Sequence, residues 1–295
     1  MRKTPLQKLL LHIANLVVIG FILLPMAAVV IGSLLAEKNL AGDTRSIIPG
    51  DITFDNFRVI ISRGEQRGQV FEQATYLPDN VKKIYHALGN SVVISVSVTF
   101  LTLVFASLSA YTVVKLRLRW VAWLLSVNVF ARFVPIIVLM IPLYVVFRKL
   151  GMLNSIWGVV IALTGFLLPY GILILVPYFA SIPKELDEAA IMDGASYMQV
   201  LTRIFIPVAL PGIIAATIFA FTVSWAQFLY PLAFTTSTDQ LMLPVGIVTT
   251  LIKGDVFNWG QIMTGALLGA LPPLVIYAFL MDYYIAGLTA GATKG

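Results

Sequence analysis

The sequence predicts an all-α, polytopic membrane protein with six transmembrane helices. Of its 295 residues, 59% are hydrophobic and 12% are charged, whereas about a quarter of the residues in ordinary soluble domains are charged. Six apolar runs are each long enough to cross a bilayer, which takes roughly 20 residues. The chain contains no cysteine, which excludes a disulfide framework and a thiolate metal site.

The six apolar runs are the candidate spans, and their order sets the organisation of the chain. They are continuous rather than alternating, which distinguishes them from the strands of outer-membrane barrels. The first run follows three basic residues but is too long for the apolar core of a signal peptide. No small-residue cleavage site closes it, so we expect a retained span. The predicted spans are 10–35, 86–114, 120–147, 156–180, 207–234 and 262–286.

Lysine and arginine in the short connections predict the orientation, because cytoplasmic loops carry an excess of them. With the N-terminus inside, nine of these bases lie on the cytoplasmic side and three on the outer side. Six spans then place both termini in the cytoplasm and segment 185–207 on the cytoplasmic face. The inner bases are Arg2, Lys3, Lys8, Lys115, Arg117, Arg119, Lys184, Arg203 and Lys294; the outer ones are Arg148, Lys149 and Lys253.

Segment 185–207, ELDEAAIMDGASYMQVLTRIFIP, predicts two short helices joined by a glycine turn. Pro183 suits the first turn of a helix, and Gly194 can end that helix in the left-handed conformation. Ser196 and Gln199 form a capping-box pattern that opens the second helix. The segment is therefore a helix pair on the inner face of the membrane, and Pro207 ends it or begins the next span.

The first of these helices is acidic, which bears on what it touches. A helix that merely connects two spans along the lipid surface is the simpler interpretation. Such helices usually carry lysine and arginine, however, and an anionic leaflet repels acids. The charge therefore favours a protein partner. The four acids are Glu185, Asp187, Glu188 and Asp193.

Residues 188–195, EAAIMDGA, followed by IFIP at 204–207, resemble the EAA loop of ATP-binding-cassette (ABC) importer permeases. The D-G-A sequence at 193–195 is similar to that of the carbohydrate, maltose-type family. At the position of Ile206 that family usually has leucine. The tail AGLTAGATKG, residues 286–295, resembles the ending of the second membrane subunit of maltose-type importers. The residues that match the coupling motif are Glu188, Ala189, Ala190, Asp193, Gly194, Ala195, Ile204 and Pro207.

This resemblance implies the type I ABC importer permease fold and a role in sugar import, with oligosaccharides as the expected cargo. It implies a bacterial inner-membrane location, a heterodimer with a related permease subunit, two cytoplasmic ATPases and an external solute-binding protein. The chain has no G-x-x-x-x-G-K-[ST] loop, so ATP and Mg are expected on the ATPases and this subunit is not itself an enzyme. In the family the glutamate of the EAA loop, here Glu188, anchors the ATPase.

The expected organisation follows from the spans and the resemblance together. Residues 1–35 form the N-terminal tail and first span, and 36–85 form a periplasmic loop. Residues 86–295 form a five-helix permease core with coupling helices at 182–206 and a cytoplasmic tail. The long loop is either a dock for the solute-binding protein or a lid on its own bundle.

Four polar residues are candidates for the translocation pathway. Arg132 lies near the middle of the third span, where a charge costs at least about 2.5–3.5 kcal/mol. It faces either the pathway or a structural partner such as a backbone carbonyl, and Asn128 lies one helical turn away. Ser224 and Gln227 lie in the fifth span and contact either the sugar or a neighbouring helix. The family usually has W-N-x-F where this chain has WAQF at 225–228, so the expected asparagine is missing.

Segment 249–261, TTLIKGDVFNWGQ, joins the last two spans on the outer side. The resemblance implies that this loop reaches into the solute-binding protein and helps to displace its sugar; the alternative is an ordinary connecting loop. The residues that would make this contact are Lys253, Asp255, Asn258 and Trp259.

An ion-coupled secondary carrier that works without an ATPase is the alternative function. Such carriers commonly use carboxylates at membrane depth. Asp282, near the inner end of the last span, is the only acid within the six predicted spans, which argues against a proton or sodium relay. An enzyme is also disfavoured, because the sequence has two histidines, no cysteine and no paired acids at membrane depth.

Overall fold

The computed structural model describes residues 4–36, 39–40, 52–61, 82–116, 134–253 and 256–292, together with positions 123, 127 and 130. The described chain is mostly helical. It forms two compact units. One comprises Met1–Tyr85 with Gly246–Ala270, and the other comprises His86–Val245 with Leu271–Gly295.

Four helices of the described chain are long and apolar enough to cross a membrane. They coincide with the first, second, fourth and sixth predicted spans. The agreement arises because an α-helix rises 1.5 Å per residue, so an apolar run of roughly 20 residues has the length that a helix needs to cross the hydrocarbon core. These helices are α1 (Pro5–Ser33), α3 (Lys82–Leu116), α5 (Ile156–Ala180) and α12 (Trp259–Ala292).

Shorter elements connect these helices. The two strands pair as an antiparallel hairpin, Leu201–Phe205 is a π-helical turn, and Thr238–Gln240 is a 3₁₀ turn. The remaining elements are α2 (Asp55–Ile61), α4 (Ile136–Lys149), α6 (Lys184–Met192), α7 (Tyr197–Val200), α8 (Ile206–Val208), α9 (Leu210–Trp225), α10 (Leu229–Phe234), α11 (Leu243–Leu251), β1 (Ile252–Lys253) and β2 (Val256–Phe257).

The fifth span differs from the prediction, and proline explains the difference. We predicted one continuous span over 207–234, but Tyr197–Val208 and α9 meet at an angle of 83°, and α9 ends before α10 begins. Pro211 lies in the first turn of α9 and Pro231 in the first turn of α10. A missing N–H is tolerated in a first turn but not in a helix interior. The chain therefore begins a new helix just before each proline.

The third predicted span, 120–147, is described in part. Its C-terminal half is α4, which begins after Pro135. Most of its N-terminal half lies outside the described residues, and so do Asn128 and Arg132. Their placement in the translocation pathway stays a prediction.

In the first unit, α2 packs against the end of α1. Asn56 is fully buried, and its Nδ2 donates to the backbone carbonyls of Ser33 (3.0 Å) and Leu35 (2.8 Å). Leu35 also pairs with Ile52 in an isolated antiparallel bridge. Residues 52–61 of the loop 36–85 therefore pack on the end of the protein's own first helix.

In the second unit, the core lies where α3, α5 and α9 pack together. The first two helices approach closely, because a Cβ atom on Gly171 would lie only 2.9 Å from the Cβ of Ala106. Small residues permit such approach between membrane helices. The same core continues through Phe179 on α5 to Val200 and Phe205 in the segment that follows. The packing that joins the long helices thus also holds the segment between α5 and α9.

Candidate coupling site

The first helix of the predicted coupling segment is α6. It begins directly after Pro183, which is its N-cap residue rather than part of its first turn. It ends in a Schellman motif. Gly194 has φ +85°, its N–H donates to the carbonyl of Ile191, and the N–H of Ala195 donates to that of Ala190, both at 2.9 Å. The predicted glycine turn is confirmed.

The second helix opens with the predicted capping box. The backbone N of Ser196 donates to Oε1 of Gln199 at 2.8 Å, and the backbone N of Gln199 donates to Oγ of Ser196 at 3.4 Å. Pro207, which we expected to end this helix or begin the next span, lies in the first turn of α8, one residue before that helix ends at Val208. The π turn Leu201–Phe205 lies directly before α8. Because proline has no N–H, Pro207 cannot donate the regular α-helical hydrogen bond back into this turn. The bend to α9 follows at Ala209.

An apolar face anchors the helix pair to the long helices. Val200, Leu201 and Phe205 are at most 3% exposed. The ring of Phe205 meets Tyr111 of α3 edge-on, with centroids 4.8 Å apart, and Phe179 of α5 at 5.4 Å. Edge-to-face pairs of this kind add to the stabilisation from burial. The pair is therefore fixed to both α3 and α5.

The opposite face of the pair is open and carries most of the predicted motif. Met192 is 87% exposed and Met198 57%, so apolar side chains stand beside the acids. An exposed surface that mixes apolar and charged groups is typical of a protein contact. Glu188, Ala189, Asp193, Gly194 and Pro207 are exposed, whereas Ala190, Ala195 and Ile204 are partly buried.

Asp187, next to the motif glutamate Glu188, is buried in an ion pair rather than exposed. Its side chain is 5% exposed, and its Oδ2 forms an ion pair with Nζ of Lys115, which is 21% exposed. Lys115 lies in the last turn of α3. The sequence carries no local signal for this pair, because 72 residues separate its members.

A cleft of about 460 Å³ opens beside this ion pair. Its wall combines two bases and two acids with apolar side chains from α3, α5 and the coupling segment. It is thus open to a partner that presents both charge and apolar surface. The lining residues are Val113, Val114, Lys115, Ala180, Ile182, Lys184, Asp187, Glu188 and Phe205.

The predicted pathway residues of the fifth span lie near the end of α9. Ser224 is fully buried, and its Oγ donates to the carbonyl of Phe221 at 3.0 Å. Gln227 is partly buried and follows the end of the helix, where its backbone N donates to the carbonyl of Ser224 at 3.3 Å. The hydroxyl of Ser224 is therefore committed to its own helix.

The outer segment 249–261 contains the β1–β2 hairpin. Asn258 is 6% exposed, and its Nδ2 donates to the carbonyl of Leu251 at 3.1 Å. Trp259 is 42% exposed and stacks on Phe257 with centroids 5.2 Å apart. Asp255 and the side chain of Lys253 lie outside the described part of the chain. Of the predicted contact residues, Trp259 is thus open to a partner, whereas Asn258 closes the hairpin.

Comparison with known protein families decides the class of this protein. A family model described as "Binding-protein-dependent transport system inner membrane component" matches residues 102–289, which is more than half of the chain. The chain belongs to this family. The match contains α5, the coupling segment and α9. The predicted relationship to ABC importer permeases is confirmed.

A solved structure of a bacterial ABC transporter involved in the import of the acidic polysaccharide alginate has the same fold as this permease. The TM-score is 0.76 at 19% sequence identity, with 96% of this chain and 100% of that chain covered. The type I importer permease fold predicted from the coupling motif is therefore confirmed.

Three relatives share more of the sequence with this permease. The sulfoquinovosyl glycerol transport system permease protein SmoH of Agrobacterium fabrum is 34% identical over 209 residues, which cover 70% of this chain and 73% of that protein. The trehalose/maltose transport system permease protein MalG of Thermococcus litoralis is 28% identical over 300 residues and 100% of both chains. The arabinooligosaccharides transport system permease protein AraQ of Halalkalibacterium halodurans is 28% identical over 298 residues, which cover 100% and 99%.

Within the described residues of the permease, no group of three or more histidine, aspartate or glutamate side chains is arranged to hold a metal ion. The acids of the coupling segment are instead exposed singly or, at Asp187, paired with a lysine. This surface offers charge, small residues and apolar side chains, on helices that pack against α3 and α5.

Proposed function

We propose that this chain is a membrane-spanning permease subunit of an ATP-driven, binding-protein-dependent importer of sugars. The observation that carries the proposal is the capped and packed helix pair between α5 and α9, which exposes Glu188, Ala189 and Asp193 in the pattern of the EAA loop. Two relatives that match over essentially their full length are named for trehalose/maltose and arabinooligosaccharide transport, which supports oligosaccharides as the cargo.

The helix pair is built to transmit motion as one body. The Schellman motif at Gly194 and the capping box at Ser196 satisfy the backbone groups between its two helices, and Phe205 anchors the pair in the core. When two ATPases close on ATP, the pair moves with the ATPase that holds it. Because short connections join α5 and α9 to its two ends, both helices tilt with it and exchange an inward-open for an outward-open pathway.

The proposed assembly supplies what this chain lacks. Two cytoplasmic ATPases bind ATP and Mg, a related permease subunit completes the pathway as a heterodimer, and a solute-binding protein delivers the sugar on the outer face. The apolar surface of α1 is largely uncovered by the rest of the chain, because only 11% of its most apolar window is buried. This supports the proposal that α1 lies in the membrane beside lipid or a neighbouring subunit.

The orientation and the outer contacts complete the proposal. Both termini lie in the cytoplasm of a bacterial cell, so the coupling segment faces the ATPases and the β1–β2 hairpin faces the solute-binding protein. Asn128 and Arg132 of the third span and Gln227 beyond α9 are proposed to line the sugar pathway. Ser224 is left out of this set, because its side chain is fully buried and bonded to Phe221. Lys253, Asp255 and Trp259 are proposed to meet the binding protein.

The test is ATP-dependent sugar uptake by the assembled transporter in proteoliposomes. Glu188→Lys and Gly194→Asp are each expected to abolish uptake while the chain stays in the membrane, because the first reverses the docking charge and the second adds a carboxylate beside the exposed Asp193. Glu185→Lys is the matched control, since it reverses an exposed acid of α6 outside the motif.

Normal uptake by correctly assembled Glu188→Lys and Gly194→Asp transporters would disprove the docking assignment. Uptake by the purified chain alone, driven by a proton or sodium gradient, would instead establish the secondary carrier. Co-purification of the chain with an ATPase separates these outcomes before any transport is measured.

A further inference from the structure

The ion pair between Lys115 and Asp187 connects two elements that the chain does not join directly. Lys115 lies in the last turn of α3, and Asp187 lies on α6. Helices α4 and α5 separate them along the chain. The coupling helix pair is thus attached to a third long helix, in addition to α5 and α9, which continue from its ends.

Burial makes this pair difficult to open. The Asp187 side chain is 5% exposed, and its Oδ1 has no hydrogen-bond partner among the described residues. Lys115 therefore provides the compensating charge for a carboxylate that has little access to water. Removal of one member of a buried pair leaves an uncompensated charge, which is strongly unfavourable.

A second contact joins the same two parts of the protein. Tyr111 precedes Lys115 by four residues, so both side chains lie on one face of α3. The Tyr111 ring meets the ring of Phe205 edge-on at 4.8 Å. Helix α3 consequently contacts both halves of the pair, α6 through Asp187 and the π turn through Phe205.

We propose that Lys115 and Asp187 are positioning residues that clamp α3 to the coupling helix pair and stay paired throughout the transport cycle. This inference rests on the proposed function of the pair as the ATPase contact. Movement of the pair then reaches three long helices. Two of them, α5 and α9, are pulled through the backbone, and α3 is pulled through the clamp.

Charge exchange tests the clamp in the complete transporter. Lys115→Glu and Asp187→Lys are each expected to lower ATP-driven sugar uptake roughly tenfold or more, while ATP hydrolysis per assembled complex changes less than about threefold. The double variant, which restores opposite charges, should recover uptake to within about threefold of the unmodified transporter. Lys149→Glu is the control, since it reverses an exposed base in the last turn of another helix, α4, outside the coupling segment.

Three results would overturn the proposal. They are unimpaired uptake in both single variants, no recovery in the double variant, and a parallel loss of uptake and hydrolysis, which would indicate a merely structural role. If the unmodified chain neither binds an ATPase nor imports sugar with ATP, the proposed function fails instead, and the two failures are distinguished.

Cross-linking provides a test that does not depend on charge. The chain has no cysteine, so Lys115→Cys with Asp187→Cys introduces its only two thiols, which a short bis-thiosulfonate reagent can bridge. If the clamp stays closed, the bridged transporter should import sugar at least as fast as the same variant without the bridge. Arrest on bridging, with recovery on adding reductant, would show that α3 and α6 separate during transport and would refute the clamp.

Discussion

The Oδ1 atom of Asn154 lies 2.8 Å from the backbone nitrogen of Ser237 and accepts its hydrogen. The same oxygen accepts from the backbone N of Thr236 at 3.1 Å and from Oγ of Ser237 at 2.9 Å. Asn154 has φ +56°, a conformation in which asparagine is enriched over most other residues. One side chain thus ties the connection before α5 to the connection after α10.

We therefore expect the order of stability at position 154 to be Asn, then Asp, then Gly, then Ala. Aspartate keeps the acceptor and tolerates positive φ, glycine keeps only the conformation, and alanine loses both. Alanine should lower the free energy of unfolding by about 1–2 kcal/mol through backbone strain, with a further loss from the missing hydrogen bonds. Thermal unfolding of the purified transporter measures this order. Equal melting temperatures for Asn154→Gly and Asn154→Ala would contradict the role of φ.

At Gly194, in the turn between the coupling helices, we expect a substitution to destabilise the protein through backbone strain alone. Its φ is +85°, and a Cβ atom there would meet nothing within 4 Å. Gly194→Ala should destabilise the turn by about 1–2 kcal/mol, and Gly194→Asn should destabilise it less, because asparagine tolerates this conformation. Sugar uptake should fall in the same order.

Gly165→Ala is the matched control for the turn. Gly165 lies within α5, where a Cβ atom is equally unobstructed and φ is not positive, so alanine there should be neutral or stabilising. If Gly194→Ala and Gly165→Ala have the same uptake and melting temperature, the turn does not depend on glycine.

Close packing leaves no room for a larger side chain at Gly260, at the start of α12. A Cβ atom there would lie 2.4 Å from Nδ2 of Asn56, whose short side chain is held by two hydrogen bonds. Gly260→Ala should therefore destabilise the first unit by about 1–3 kcal/mol through overpacking. Gly265→Ala serves as control, because its Cβ would make only an ordinary contact of 3.4 Å with Ile247. Similar melting temperatures for the two variants would disprove the clash.

The β1–β2 hairpin provides the test of the outer contact. Deletion of residues 253–257 should reduce sugar uptake, because it removes most of the hairpin proposed to meet the solute-binding protein. It retains Asn258, which is buried and bonds to Leu251, so assembly with the ATPases should be unchanged. Uptake measured with and without the binding protein checks this. Unaltered uptake with the binding protein would remove the hairpin from the mechanism.

Sequence patterns predicted local features well because their hydrogen bonds join residues close in the chain. Gly194 bonds to a carbonyl three residues earlier, and Ser196 and Gln199 are three residues apart. The apolar spans were predictable for a similar reason, since bilayer thickness sets their length. The prediction of a continuous fifth span was wrong, because apolar composition alone does not mark where a helix restarts before Pro211 or Pro231.

The sequence by itself determined the membrane class, four of the spans, the glycine turn and the capping box. Only the tertiary structure decided that Asp187 is buried against Lys115 while its neighbour Glu188 stays exposed. It also decided that the side chain of Asn56 leaves no room for a Cβ atom at position 260. The physical reason is that helix periodicity turns adjacent residues to different faces, whereas the identity of the facing partner depends on how distant helices pack.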